Sequence, residues 1–271
     1  FNRIYLRYIW WEGYLLMERE IQKTVMILGG SSGIGAATAQ RFAREGWRVI
    51  ITSPDKKEIE RTKDTLEGNY HLWVELDVRE DKHFLCLIDG LRKHGINYVD
   101  VLVNCIGVSQ HFEVLDSDFS AWNNALEVML YGSVKSCRTL VPLIRDGGRI
   151  IQITSIHYQR VEKGSSAYGM AKAAITQFTR SLALELAPRK ILSNTIAPGF
   201  IDTPMSVKEN GENELQTSWF YDNYIKYDHL PLKRAGLPDE IAGVAYFLAG
   251  PDASYITGSV VTVDGGLTIT F

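Results

Sequence analysis

The sequence alternates short apolar runs with longer segments of helical period, and no other feature constrains the fold as much. Six of the runs predict buried strands, at 24–28, 47–52, 71–76, 99–104, 148–154 and 191–196. Between them, the segments long enough for helices include 33–45, 55–67, 119–144 and 166–187. Strands and helices in this order predict an α/β fold, in which helices cover both faces of a doubly wound parallel sheet. Because no linker or internal repeat divides the chain, we predict one domain over residues 17–271.

Charge and cysteine content exclude several classes of protein. The net charge of −3 provides no basic surface for nucleic acid, and lysine and arginine form no cluster that would change this. Cys86, Cys105 and Cys137 are scattered and lack the pairing of a metal site, so we expect no metal and a reducing, cytoplasmic compartment.

Residues 1–16 differ from the rest of the chain. They are rich in aromatic residues, but Arg3, Arg7 and Glu12 interrupt the apolar run, which is too short to span a membrane. We expect Met17 to be the natural start and residues 1–16 to be an upstream extension. The alternative is an amphipathic arm that packs on a partner subunit.

A glycine-rich loop follows the first strand and opens the first helix. In LGGSSGIG (28–35), Gly29, Gly33 and Gly35 allow a tight turn and a close approach of the backbone to a phosphate. Strand, loop and helix occur in the order that a dinucleotide site requires, and the helix start favours a pyrophosphate. We therefore expect the loop, including Ser31, Ser32 and Ile34, to bind a dinucleotide. The alternative is a plain tight turn.

Tyr168 and Lys172 are one helical turn apart in SAYGMAK (166–172). Residues at this spacing lie on the same side of a helix, so their side chains can reach one small volume. An ammonium at about 4 Å would favour the phenolate and bring the pKa of the tyrosine from near 10 toward 7. The pair thus predicts an acid or base with a cation beside it. The alternative is a tyrosine at the edge of the buried face of this helix and a solvated lysine.

These motifs together resemble the short-chain dehydrogenase/reductase family. The glycine spacing, Tyr168-x3-Lys172 and Ser155, thirteen residues before the tyrosine, match its pattern, and the similarity extends over residues 24 to 266. The resemblance includes 3-oxoacyl carrier protein reductases and implies a Rossmann domain with about seven strands. It assigns catalysis to Ser155, Tyr168 and Lys172. It also assigns further cofactor contacts to Asp77, Val78, Asn104, Gly107, Tyr168, Lys172, Pro198, Gly199, Ile201 and Thr203.

The family resemblance implies hydride transfer between a nicotinamide cofactor and a small-molecule ketone or secondary alcohol, in a homotetramer. One departure is Met129, which stands where the family usually has asparagine; its backbone carbonyl can still hold the water of a proton relay. Other departures are Leu28 and the pair Cys105-Ile106. A sugar-acid or polyol dehydrogenase, a catalytically silent dinucleotide sensor and a nucleotide-stabilised scaffold are the alternatives.

The residues at the end of the second strand indicate whether NAD(H) or NADP(H) binds. An NAD enzyme would have an acidic residue near Ser53, to bind the ribose hydroxyls and repel a 2′-phosphate. Ser53 is uncharged and Lys56 and Lys57 follow it, which favours NADP(H) over NAD(H). Asp55 and the absence of arginine at positions 32 and 54 weaken this preference.

Polar and aromatic residues indicate where a substrate would bind. We expect His157, Gln159, Gln110 and His111 to follow strand ends at the edge of the sheet where substrate binds, with ordinary loop polarity as the alternative. The aromatic-rich segment 205–235 predicts a lid over the site, with core packing or a subunit interface as the alternative. Its aromatic residues are Trp219, Phe220, Tyr221, Tyr224 and Tyr227.

Overall fold

A computed structural model describes residues 22–108, 113–115, 118–208 and 210–270, and the backbone of residues 8–11 and 14–17. Within the amino-terminal segment, strands β1 (Tyr8–Trp11) and β2 (Tyr14–Met17) pair antiparallel. Much of the predicted extension 1–16 lies outside the described residues, and its status stays a prediction.

Seven parallel strands form one sheet in the order β5-β4-β3-β6-β7-β8-β9. The strands are β3 (Thr24–Leu28), β4 (Arg48–Ser53), β5 (Leu72–Glu75), β6 (Val99–Asn104), β7 (Ile144–Ile153), β8 (Leu192–Pro198) and β9 (Val260–Val263). The chain builds outward from β3 to β5, then returns to the other side of β3 with β6. This order confirms the predicted doubly wound sheet.

Helices cover both faces of the sheet, as predicted. They are α1 (Gly33–Arg44), α2 (Lys56–Thr62), α3 (Asp81–Lys93), α4 (Phe119–Leu126), α5 (Gly132–Leu140), α6 (Ser166–Glu185), α7 (Ser218–Phe220) and α8 (Pro238–Ala249). Apolar residues of α1 and α8 pack on one face, and those of α3, α5 and α6 pack on the other. The apolar runs of the strands are buried between these two layers, which explains why they lack a period of two.

Two helices differ from the sequence prediction. The predicted helix 55–67 ends at Thr62, where one 3-10 turn (Lys63–Thr65) follows. The predicted helix 119–144 is divided by a π-helical turn (Glu127–Tyr131) and ends at Leu140. Pro142 lies in the 3-10 turn after it and has no N–H to continue the helix.

The change of direction in the strand order creates a crevice at the carboxyl ends of β3 and β6, where ligands bind in sheets of this type. In the part of the chain that the structure describes, no helix has the length and apolar character needed to span a bilayer.

Candidate functional site

The loop between β3 and α1 leaves room only for glycine at its closest approach. A Cβ atom on Gly35 would lie 2.0 Å from the carbonyl oxygen of Gly29. Gly29 and Gly33 have φ angles of +69° and +49°, which glycine adopts most readily. The N-cap residue of α1, Ser32, makes no side-chain capping bond, which leaves the N–H groups of the first turn to bind an anion. The loop therefore fits a dinucleotide pyrophosphate.

Two serines, one in the glycine loop after β3 and one at the end of β4, donate hydrogen bonds to the same carboxylate. Ser31 Oγ donates to Glu58 Oε2 over 2.6 Å, and Ser53 Oγ donates to the same oxygen over 3.3 Å. Lys56, which the sequence analysis expected to favour a phosphate, forms an ion pair with Glu75 instead, at 2.9 Å. The sequence analysis missed Glu58, although an acidic residue in the first helical turn after a strand end was the available signal.

Asp77 and Val78 follow β5, as the predicted adenine contacts should. The Asp77 carboxylate accepts hydrogen bonds from Arg79 Nη2 at 2.6 Å and Nε at 3.0 Å, and these bonds lower its pKa. Val78 is buried against Gly132, where a Cβ atom would lie 2.4 Å from the valine Cγ2. An adenine ring would therefore share the Asp77 carboxylate with Arg79.

Asn104 braces the sheet with its side chain. Its Nδ2 donates to Ser133 Oγ and Gln152 Oε1, both at 2.8 Å, and its Oδ1 accepts from the Ile106 N–H at 3.0 Å. This amide therefore joins β6 to α5 and β7, and the cofactor contact that the resemblance assigns to Asn104 would have to use its backbone. Gly107 lies next to the ammonium group of Lys172, since a Cβ on the glycine would lie 3.7 Å from the lysine Nζ.

The segment after β8 meets the glycine loop. A Cβ atom on Gly33 would lie 3.3 Å from the Thr203 side chain, so the two loops touch across the crevice. Thr203 and Ile34 both line a cavity of about 600 Å³ beside this contact, together with Pro198, Gly199 and Ile201. These predicted cofactor residues thus line the same cavity as Ser155 and Tyr168, two of the three predicted catalytic residues.

Ser155, Tyr168 and Lys172 converge where β7 ends and α6 begins. Ser155 Oγ accepts the N–H of His157 at 3.2 Å and forms a hydrogen bond with the Tyr168 side chain. Lys172 Nζ donates to the carbonyls of Ile153 at 3.1 Å and Ile106 at 3.3 Å, and lies 5.4 Å from the centre of the tyrosine ring. Lys172 is only 3% exposed, which argues against a solvated helix lysine.

The expected lowering of the Tyr168 pKa is wrong for the protein alone. Burial raises the pKa of Tyr168 from its ordinary value, the hydrogen bond from Ser155 lowers it, and the charge of Glu162 raises it further. The sequence argument omitted desolvation, which penalises the phenolate. The same burial lowers the pKa of Lys172 to about 8.

The predicted lid segment supplies one wall of the cavity. Trp219, Phe220 and Tyr224 line it, whereas Tyr221 and Tyr227 are exposed elsewhere. Residues of the described part of 205–235 therefore line the cavity, and the role of this segment as a lid stays a prediction. The sequence analysis did not single out several other lining residues, among them Phe200, Glu162 and, within the predicted lid segment, Glu214. Phe200 adjoins the recognised Pro198-Gly199 pair, but the two carboxylates come from loops without a motif.

The predicted substrate residues separate into three cases. His157 lines the cavity, with its ring edge against Tyr168 and its Nε2 3.6 Å from Glu162 Oε2. Burial lowers the pKa of His157. Gln159 is exposed and is not in the cavity wall, so its predicted substrate contact is not supported. Gln110 and His111 lie outside the described residues.

Met129 lies in the π-helical turn and is buried against Ala167 and Ala171. Its carbonyl, which was expected to hold a relay water, accepts a 2.5 Å hydrogen bond from Ser133 Oγ. The Gly132 N–H donates to the same carbonyl, so both of its lone pairs are engaged and a relay water would have to displace one of these bonds.

Comparisons with known proteins agree with this geometry. Residues 29–268 match the family model described as enoyl-(acyl carrier protein) reductase. An uncharacterized oxidoreductase of Bacillus subtilis, YxbG, is 35% identical, covering 93% of each chain. A 3-oxoacyl-acyl-carrier-protein reductase of Mus musculus is 34% identical, covering 92% of this chain and 100% of the mouse protein.

A solved structure shows the same architecture. The aldohexose dehydrogenase of Thermoplasma acidophilum superposes with a TM-score of 0.78 at 31% identity, covering 92% of this chain and 95% of that one. The match to the family model, the curated relatives and the seven-stranded sheet agree along nearly the whole length. The chain therefore belongs to the short-chain dehydrogenase/reductase family of NAD(P)-dependent oxidoreductases.

Proposed function

We propose that Tyr168 is the acid or base of this oxidoreductase, that Ser155 orients a ketone or secondary alcohol, and that Lys172 holds the cofactor. The observation that carries the proposal is the convergence of these three side chains, with Ser155 and Tyr168 in the wall of the cavity and Lys172 buried behind the tyrosine ring. When bound, a nicotinamide cofactor supplies or accepts the hydride. The loop at Gly29–Gly35 would bind its pyrophosphate, and the Pro198–Thr203 segment would flank its ring.

Tyr168 is suited to give a proton to a ketone oxygen. Burial raises its pKa, so the phenol keeps its proton at neutral pH. The Ser155 hydroxyl lies beside it and can donate to the same substrate oxygen as negative charge develops there. Lys172, fixed by two carbonyls, adds positive charge next to the ring and favours the phenolate that remains after transfer.

We propose an uncharged, hydroxylated substrate. The cavity combines the aromatic residues Trp219 and Tyr224 with the carboxylates of Glu162 and Glu214. Burial, and then the charge of Glu162, raise the pKa of Glu214, which indicates a site where negative charge is unfavourable. Carboxylates accept hydrogen bonds from hydroxyl groups and repel anions. A polyol or sugar ketone therefore fits better than a sugar acid, and the similarity to an aldohexose dehydrogenase supports this choice.

A catalytically silent dinucleotide sensor is the second candidate. The observation in its favour is Met129, whose carbonyl is already bonded to Ser133, so that the proton relay has a competitor. Such a protein would bind dinucleotide through the same loop but would not turn over any ketone.

The substitution Tyr168→Phe tests the assignment. It removes only the hydroxyl, so dinucleotide affinity should stay unchanged while ketone reduction falls by about 10²–10⁴-fold, the usual contribution of a general acid. Titration with NADH and NADPH measures binding, and a panel of polyols, sugars and ketones measures turnover. Equal turnover by the two proteins would overturn the role of Tyr168. A parent that binds dinucleotide but turns over nothing would favour the sensor.

Three further expectations belong to this proposal. We propose a homotetramer, because the elements that correspond to α4, α5, α6 and the final strand pair subunits in members of the family. A cytoplasmic location is supported by the cysteines, since Cys86, Cys105 and Cys137 are all unpaired within the described residues. NADP(H), predicted from Ser53 and its neighbouring lysines, stays a prediction, and the ion pair of Lys56 with Glu75 weakens it.

A further inference from the structure

We infer that Glu58 selects NAD(H) over NADP(H). This inference rests on the proposed dinucleotide-binding function. Glu58 lies in the first turn of α2 and its side chain is half-buried. Its Oε2 accepts hydrogen bonds from Ser31 of the glycine loop at 2.6 Å and from Ser53 at 3.3 Å. These serines mark the carboxyl ends of β3 and β4, where the adenosine ribose of a dinucleotide lies in doubly wound folds.

The two hydroxyl groups hold the Glu58 carboxylate in place. A free surface glutamate could swing away from a bound phosphate at little cost, but moving this one breaks both hydrogen bonds. A carboxylate so placed can accept a hydrogen bond from a ribose 2′-hydroxyl. A 2′-phosphate has only acceptor oxygens and carries negative charge, so at the same position it would be repelled.

One of the two neighbouring lysines is already paired with another carboxylate. Lys56 Nζ forms an ion pair with Glu75 Oε2 at 2.9 Å, and Asp55 adds a further negative charge while capping α2 through the Lys57 N–H at 2.7 Å. The flanking positions, Ser32 and Pro54, carry no charge.

The inferred preference is therefore the reverse of the one that the sequence predicts. The sequence argument considered only the residue at the strand end, where Ser53 is neutral. In the structure the acidic group comes from five residues later, because the first turn of α2 brings the side chain of Glu58 back to the strand end.

Binding measured by calorimetry tests the inference without any turnover. The full chain is titrated with NADH and NADPH, and with 5′-AMP and 2′,5′-ADP; the members of each pair differ only by the ribose 2′-phosphate. We expect NADH and 5′-AMP to bind at least about tenfold tighter than their 2′-phosphorylated counterparts, a difference of roughly 1.4 kcal/mol. In Glu58→Gln, which keeps an oxygen acceptor but loses the charge, both ratios should fall to within about threefold.

Glu60→Gln is the matched control, because Glu60 is exposed on the same helix and pairs with Lys63 at 2.6 Å. Its ratios should equal those of the wild type. Circular dichroism checks folding, and Glu58→Ala replaces Glu58→Gln if that variant does not fold. Equal or tighter binding of the 2′-phosphorylated ligands by the wild type overturns the inference. Ratios unchanged in Glu58→Gln overturn the role of Glu58. Failure of all four ligands to bind overturns the proposed function itself.

Discussion

At the scale of single residues, burial raises the pKa of the Tyr168 phenol and the hydrogen bond from Ser155 partly offsets that rise. Alcohol oxidation needs the phenolate as a base, so its rate should rise with pH through the pKa of Tyr168, while ketone reduction should fall over the same range. The Ser155 bond lowers this pKa against the effect of burial. Ser155→Ala should therefore move the alkaline rise of kcat/KM for oxidation to higher pH and slow the reaction. Steady-state rates from pH 6 to about 10.5 follow the lower part of this rise, which should be displaced to higher pH in the variant.

Ser155→Thr keeps the hydroxyl group and serves as the control for that prediction. It should restore the pH profile even if packing of the extra methyl lowers the rate. A Ser155→Ala profile that coincides with the wild type in pH would mean that the hydroxyl does not tune Tyr168.

Lys172 makes the stability of the protein depend on pH. Its pKa in the folded protein is about 8, below the value of 10.5 for a free lysine. Between these values the unfolded chain binds more protons, so the free energy of unfolding rises with pH, by about 3 kcal/mol at about 1.4 kcal/mol per unit. Relative to Lys172→Met, which lacks the titrating group, wild-type protein should gain this amount between pH 8 and 10.5. Urea unfolding without dinucleotide at several pH values measures the difference.

Lys172→Met also removes the hydrogen bonds to Ile106 and Ile153. We expect their loss to change the free energy of unfolding by an amount that is the same at every pH. Only the change with pH therefore reports the buried ammonium. Parallel stability curves for the two proteins would contradict the lowered pKa.

At the scale of structural elements, the glycine loop has no space for a methyl group at Gly35. The Cβ of Gly35→Ala would clash with the Gly29 carbonyl at 2.0 Å, so the loop must open. We expect a loss of about 1–3 kcal/mol in unfolding free energy and at least a tenfold loss of dinucleotide affinity. Gly90→Ala is the matched control, since α3 offers open space at Gly90 and alanine favours a helix by about 1 kcal/mol. Equal effects of both substitutions on dinucleotide affinity would contradict the steric argument.

The strands were more predictable than the helix boundaries. All six strands predicted from apolar runs are present, because burial on both faces leaves a continuous apolar signal. The helix predicted over 119–144 is interrupted because the π-helical turn at Glu127–Tyr131 depends on tertiary packing of Met129, which local periodicity does not encode. The helix α6 was predicted, but the burial of its Lys172 was not.

At the scale of the whole molecule, the site residues that belong to one short motif could be predicted from the sequence. Those that come from loops distant in sequence could not. The Tyr168-x3-Lys172 spacing and the glycine loop are local, and the structure brings both to one crevice. Glu58 and Glu214 acquire their positions only through the packing of α2 and of the segment after β8. The desolvation that raises the pKa of Tyr168 is likewise a property of the assembled fold.

The helices assigned to subunit contacts keep large apolar side chains exposed in the single chain. Phe119 at the start of α4 is 73% exposed, and Leu184 near the end of α6 is 81% exposed. If α6 packs against a second copy, Leu184→Glu would bury an unpaired charge, so we expect assembly to weaken at least about tenfold. Sedimentation velocity should show a tetramer for wild-type protein and smaller species for this variant. Leu85→Glu, on α3 and 65% exposed, is the control and should remain tetrameric. A wild-type protein that sediments as one 30.5 kDa chain would contradict the tetramer.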